Sequence, residues 1–192
     1  MGNEGKKICI VGHGPSTEGR GLGSIIDSYD IVIRMVECGF QNEKDYGKKY
    51  NIGIFTAGIS LLWSKTSERI PSDMYWRITR SLQYEQDTFD WKRGRLVRIL
   101  RKTIREWVGK KYYCSRGMSA IIGSIELLEP EEIALVGFDT VLRGVFSMNH
   151  HPQALNDFIR RNTTRKRNVH DWNLEKAMVS HFIKNGINIK IL

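Results

Sequence analysis

Residues 7–12 read Lys-Ile-Cys-Ile-Val-Gly, a nearly continuous apolar run that stops at glycine. This run constrains the fold more than any other stretch. A strand with one wet face alternates apolar and polar residues, whereas a strand covered on both faces is apolar throughout. The run therefore predicts a buried strand of a parallel sheet that ends where the backbone must turn. Similar runs recur at Ile31-Val32-Ile33, at Ile52-Gly53-Ile54-Phe55-Thr56, at 132–138 and at 187–192. Helical spacing fills the intervals. Residues 115–128 start on Ser115, a good N-cap, and carry Met118, Ile121, Ile122, Ile125 and Leu128. Residues 173–184 place Leu174, Ala177, Met178, His181 and Phe182 on one face and end at Asn185-Gly186, a C-cap signal. Strands alternating with helices predict an α/β domain with a largely parallel sheet. Ligands of such sheets bind at the carboxyl ends of the strands.

The length of 192 residues predicts one domain. A hydrophobic fraction of 41% is enough for a core and excludes a disordered chain. No apolar run approaches the ~18 residues of a membrane span, and the run at 7–12 is too short for a signal-peptide core. Cys9, Cys38 and Cys114 follow no disulfide or zinc spacing. The expectation is a soluble, cytoplasmic protein with reduced thiols and no stable membrane insertion.

Thirty basic residues against 21 acidic ones give a net charge of +9, a field that favours polyanionic partners. Much of the excess lies at 91–111, which reads as a basic amphipathic helix inserted in the domain. Leu96, Ile99, Leu100, Ile104, Trp107 and Val108 form its stripe, with Arg95, Arg98, Arg101, Lys102 and Arg105 on the other faces. Two readings stay open: a solvated face on a packed helix, or a surface for an acceptor or a membrane. A second cluster, Arg160, Arg161, Arg165, Lys166 and Arg167, precedes His170 and predicts a charged loop near substrate. Arg98, Arg101, Arg105, Arg165 and Arg167 are thus candidate contacts to a polyanionic acceptor.

The chemistry-bearing residues gather around strand ends and helix starts. The first strand runs into Gly12-His13-Gly14-Pro15-Ser16, where backbone N–H groups and the Ser16 hydroxyl are suited to a phosphate. The spacing is neither that of a dinucleotide fingerprint nor that of a P-loop. Ser115 and Gly117 open a helix whose N–H groups can receive an anion. Gly137 ends a strand and permits close approach of a nucleoside. His150, His151 and His170 are candidates for proton transfer near neutral pH, with Glu175 about one turn inside the helix that follows His170. The three histidines match no strong metal spacing. No Asp-x-Asp pair occurs, which points to chemistry without a divalent ion or to a monophosphate donor that needs less charge neutralisation.

Taken in order, these pieces resemble the sialyltransferases that carry L, S, III and VS sialylmotifs (the glycosyltransferase family 29 type). ICIVGHGPSTEGRGLGSIIDSYDIVIRM is similar to the long motif and CSRGMSAIIGSIELLEPEEIALVGFD to the short one. His151 matches the motif-III histidine, and His170 with Glu175 matches the His-x-x-x-x-Glu of the very short motif. The resemblance implies a single Rossmann-like domain of the GT-A-variant type in a compact bacterial or viral relative. It further implies a CMP-activated sugar donor, no separate cofactor, and metal-independent inverting transfer to an acceptor hydroxyl. His170 would be the general base, His151 would stabilise the leaving phosphate, and Glu175 would hold the His170 region. Gly12, His13, Gly14, Ser16, Ser115, Gly117 and Gly137 would bind the nucleotide. His13 and Val36 replace asparagines of the family that help hold the nucleotide. The family's cysteine is present as Cys9, but its partner position is Pro130, so the family disulfide is not expected. The expected acceptor is an anionic glycan. Two alternatives are a hydroxylated base in DNA, motivated by the positive charge, and a non-catalytic nucleotide- or polyanion-binding relative, motivated by His13 and Val36.

Overall fold

The computed structural model describes residues 5–12, 14–35, 42–56, 74–78, 115–143 and 172–192. Strand β1 (Lys7–Val11) lies inside the sheet and is buried from Ile8 onward, as its unbroken apolar run predicts. Around it stand β2 (Ile31–Met35), β3 (Ile52–Thr56), β4 (Met74–Ile78), β5 (Glu132–Val136) and β6 (Ile189–Ile191). The order is β4-β3-β2-β1-β5-β6, and every pairing is parallel. The chain builds outward from β1 through β2, β3 and β4, then returns to lay β5 against the other side of β1. Strand order therefore reverses between β1 and β5. The helices that follow them pack on opposite faces, Ile26 of the first in one core and Val141 of the other in the second. In an open parallel sheet this switch point is the ligand crevice.

Five helices are described: α1 (Gly23–Asp27), α2 (Glu43–Tyr46), α3 (Arg116–Leu128), α4 (Asp139–Arg143) and α5 (Trp172–Lys184). The pleat sends alternate side chains to opposite faces. Ile8, Ile10, Ile33, Met35, Ile133 and Leu135 join Met118, Ile121 and Ile122 of α3 and Met178 of α5 in one core. Cys9, Val11, Val32, Ala134 and Val136 join Ile26 and Tyr46 in the other. Each fully buried aliphatic contributes roughly 1.5–3 kcal/mol. The Cys9 thiol is free, and burial pushes it up to about 12, so it is an inert core residue.

Charged side chains on the second face staple the sheet to its loops. Arg34 Nε donates to the Lys49 carbonyl at 2.8 Å, and its Nη2 donates to the Tyr46 carbonyl at 2.7 Å. At the other end of the strands, the Tyr29 hydroxyl donates to Glu132 at 3.0 Å, and Glu132 also pairs with Lys190.

Three expectations need correction. Strand β4 was not predicted; its short run, Met74 to Ile78, contains Arg77 and occupies the sheet edge. Strand β6 is shorter than the run at 187–192. The inner face of α5 is in part the predicted one, since Met178 is buried and Leu174 and Phe182 pack against the core. Glu175, Met178 and Val179 are buried, whereas Ala177 and His181 are exposed. Apolar spacing alone put Glu175 outside that face, but a hydrogen-bonding partner draws its carboxylate inward. The end of α5 is as predicted. Gly186 takes φ +88°, its N–H donates to the Ile183 carbonyl at 3.1 Å, and that of Ile187 donates to the Phe182 carbonyl at 3.0 Å. Among the described residues, no helix is long and apolar enough to cross a membrane.

Candidate functional site

The carboxyl ends of β1 and β5 meet through backbone. The N–H of Gly12 donates to the Val136 carbonyl and that of Gly14 to the Gly137 carbonyl, both at 2.7 Å. Ser16 N–H donates to Asp139 Oδ2 at 2.9 Å. The turn after β1 was expected to offer its N–H groups to a phosphate. These three are instead occupied by the end of β5 and the first residue of α4. Such contact needs small residues. A methyl group on Gly14 would lie 2.1 Å from Asp139 Oδ2, and one on Gly12 would lie 2.5 Å from the Gly137 carbonyl oxygen. Gly137 itself takes φ +65°, the left-handed conformation that turns the chain from β5 into α4.

Phe138 bridges this turn to α3. A methyl on Gly117 would approach its ring to 2.8 Å, and one on Gly12 to 3.3 Å, so the ring lies between the two glycines. The glycines that the sequence marks for close ligand approach thus also accommodate the protein's own Phe138 and Asp139.

The N-terminus of α3 carries a second device. Ser115 caps the helix, its Oγ accepting from Met118 N–H at 3.1 Å. The same hydroxyl donates to Glu175 Oε2, and Ser115 N–H donates to Glu175 Oε1, both at 2.6 Å. Glu175 has 0% exposure and Ser115 8%. The expected anion at this helix start is therefore an internal carboxylate, where the helix dipole favours it. It ties the first turn of α5 to the first turn of α3, across 60 residues of chain. Beside it Arg116 is a partly buried cation. Desolvation lowers it to about 10, so it stays charged at neutral pH.

Of the predicted site residues, Gly12, Gly14, Ser16, Ser115, Gly117, Gly137 and Glu175 are described. They gather at the carboxyl end of β1 and β5 and at the adjoining starts of α3 and α5. His13, Val36, His150, His151 and His170 lie outside the described residues, as do Arg98, Arg101, Arg105, Arg165 and Arg167. Asp139 and Phe138 were not among the predicted site residues. Their signal was present, since both follow Gly137 at the end of an apolar strand.

Comparison with solved structures decides the fold. Over 98% of its length the chain superposes on a mammalian sialyltransferase with a TM-score of 0.60 and 17% identity, covering 69% of that chain. Over 100% of its length it superposes on the monofunctional alpha-2,3-sialyltransferase Cst-I of Campylobacter jejuni. There the TM-score is 0.66 and the identity 16%, with 77% of that chain covered. The fold is that of the sialyltransferases. Another structure of this fold is the sialyltransferase CstII of the same bacterium, in complex with cytidine-5'-monophosphate as a substrate analogue. It matches with a TM-score of 0.52 and 15% identity, covering 97% of this chain and 79% of CstII. No protein-family model matches the chain, and no curated protein matches it in sequence. The sialyltransferase-type fold is thus shared as a backbone path, and the switch-point crevice lies within it.

Proposed function

We propose that the chain is a metal-independent inverting glycosyltransferase that moves a sugar from a CMP-activated donor to an acceptor hydroxyl. One observation carries the reading beyond the fold: the buried double hydrogen bond from Ser115 to Glu175. It joins residues of the short- and very-short-motif resemblances at the carboxyl edge of the sheet. His170 precedes Trp172 by two residues, so covalent reach alone holds their Cα atoms within about 7 Å. Anchoring α5 through Glu175 fixes the first turn of that helix, where the chain from His170 enters it.

In this reading His170 takes the proton of the acceptor hydroxyl as the hydroxyl oxygen attacks the anomeric carbon. The bond from that carbon to the phosphate oxygen breaks with inversion, and its electron pair leaves with CMP. His151 donates a hydrogen bond to the phosphate as negative charge grows there. Because N–H groups of Gly12, Gly14 and Ser16 are occupied within the protein, the phosphate depends on side chains such as His151. Metal independence rests on the missing Asp-x-Asp pair. The CMP donor rests on the motif resemblance and on the CMP complex of CstII. An anionic glycan is the proposed acceptor, and the cytoplasm the proposed location.

Calorimetry with CMP, UMP, UDP and GDP, with and without EDTA, tests the donor site. CMP should bind tightest and ignore EDTA; preference for UDP or a metal requirement would overturn the reading. His170→Ala should then lower turnover of a CMP-sugar by about 10²–10⁴-fold while CMP affinity stays near wild type. Equal losses in both would remove His170 from the general-base role.

A further inference from the structure

We infer that Asp139 is a positioning residue of the donor site: its carboxylate holds the β1 turn against the end of β5 and so sets the shape that the nucleotide meets. The inference rests on the proposed donor-binding function and assigns a role to a residue that the motif comparison leaves without one. Asp139 is 4% exposed, and its Oδ2 accepts from Ser16 N–H at 2.9 Å. Gly14 lies flat against the same carboxylate, since a Cβ there would fall 2.1 Å from Oδ2 and 2.7 Å from Cγ. On its far side the turn is bound to Gly137 and Val136 through backbone alone. The carboxylate is thus a side-chain acceptor at this junction, beside the Tyr46 hydroxyl, which donates to the Gly14 carbonyl at 3.4 Å. A charged acceptor binds an N–H more strongly than a neutral one and tolerates less displacement. Removing it leaves a part-buried N–H without this acceptor and a gap beside Gly14. The backbone contacts of Gly12 and Gly14 then hold the turn at one end only, and Ser16 is released.

Two readouts separate positioning from general support. Amide exchange reports the turn without any ligand, and CMP calorimetry reports the site. Asp139→Ala is expected to speed exchange at Ser16 and weaken CMP binding by about tenfold each, the equivalent of one lost charged hydrogen bond. Protection in β1 and β5 should be unchanged. Asp139→Asn retains an acceptor oxygen of the same reach and is expected to stay within about threefold of wild type in both. Asp27 is the control, because its carboxylate also accepts backbone N–H groups, those of Lys48 and Lys49, but away from the switch point. Asp27→Ala should lower the melting temperature and leave CMP affinity unchanged. If Asp139→Ala does not fold, Asp139→Ser is measured in the same way. Wild-type CMP affinity in the Asp139 variant, or an equal loss in the Asp27 variant, would overturn the positioning role. Failure of the wild-type protein to bind any nucleotide would overturn the donor-site reading instead. Unchanged exchange at Ser16 would by itself overturn the hold of Asp139 on the turn.

Discussion

Glu175 has no contact with solvent, and the two hydrogen bonds from Ser115 stand in for the water that its carboxylate lost on folding. Burying a carboxylate costs stability, and its placement at a helix N-terminus offsets part of that cost. Truncation is therefore worse than neutralisation. Glu175→Ala strands two buried donors and should destabilise the fold by about 2–4 kcal/mol. Glu175→Gln retains one acceptor oxygen and should cost less. Urea unfolding of both variants measures the difference, and equal losses would mean that the hydrogen bonds contribute little. From sequence alone, the spacing from His170 singled out Glu175. Its partner was not legible, because Ser115 lies 60 residues away and only the packing of α5 on α3 brings them together.

At the scale of elements, packing overrides local propensity. Alanine is a better helix former than glycine by about 1 kcal/mol, so α3 considered alone would gain from Gly117→Ala. In the folded chain that methyl comes within 2.8 Å of the Phe138 ring, which is itself 6% exposed. We expect a net loss of about 1–3 kcal/mol from overpacking, read as a lower melting temperature. A gain would show that the ring moves aside at little cost. The loop between β1 and α1 is held by Asp45 of α2. Its carboxylate accepts from Gly21 N–H and Gly19 N–H, both at 2.8 Å, and these bonds hold it below the usual carboxylate range. The sign follows from linkage: a lowered folded pKa adds stability above the unfolded value, about 3.9, that is lost as pH falls through the folded one. Wild type should thus melt higher than Asp45→Asn at neutral pH. The gap should close as the pH drops below about 4. A gap constant from pH 7 to pH 2 would remove Asp45 from the acid response.

At the scale of the whole molecule, charge and topology act separately. The net charge of +9 acts on partners through long-range attraction and leaves the fold unspecified. If the segment at 91–111 is the polyanion surface, replacing Arg98, Arg101 and Arg105 together should flatten the salt dependence of acceptor binding. The slope of log affinity against log salt would fall by roughly 0.7–0.9 per lost phosphate contact on a nucleic acid, with a smaller change on a sparser polyanion. An unchanged slope would return that segment to a solvated face.

Much of the architecture was legible because its causes are local. The unbroken apolar run at β1 requires cover on both faces, so a parallel sheet and its flanking helices follow from composition over a few residues. Ser115 and Gly186 ended their helices where predicted, since capping depends on a neighbour two to four residues away. Strand β4 escaped because a short edge run with an arginine in it carries no strong period. The inward turn of Glu175 escaped because a distant hydrogen bond outweighed the apolar spacing of α5. The glycines of the β1 turn were recognised as sites of close approach, but the sequence does not say what approaches. Tertiary structure supplies Phe138 and Asp139 against these glycines, and the N–H groups of Gly12, Gly14 and Ser16 bond to Val136, Gly137 and Asp139. Strand order is likewise a property of the assembled sheet: β5 lies beside β1 because the chain returns across it, and that reversal brings the described candidate residues to one end of the sheet.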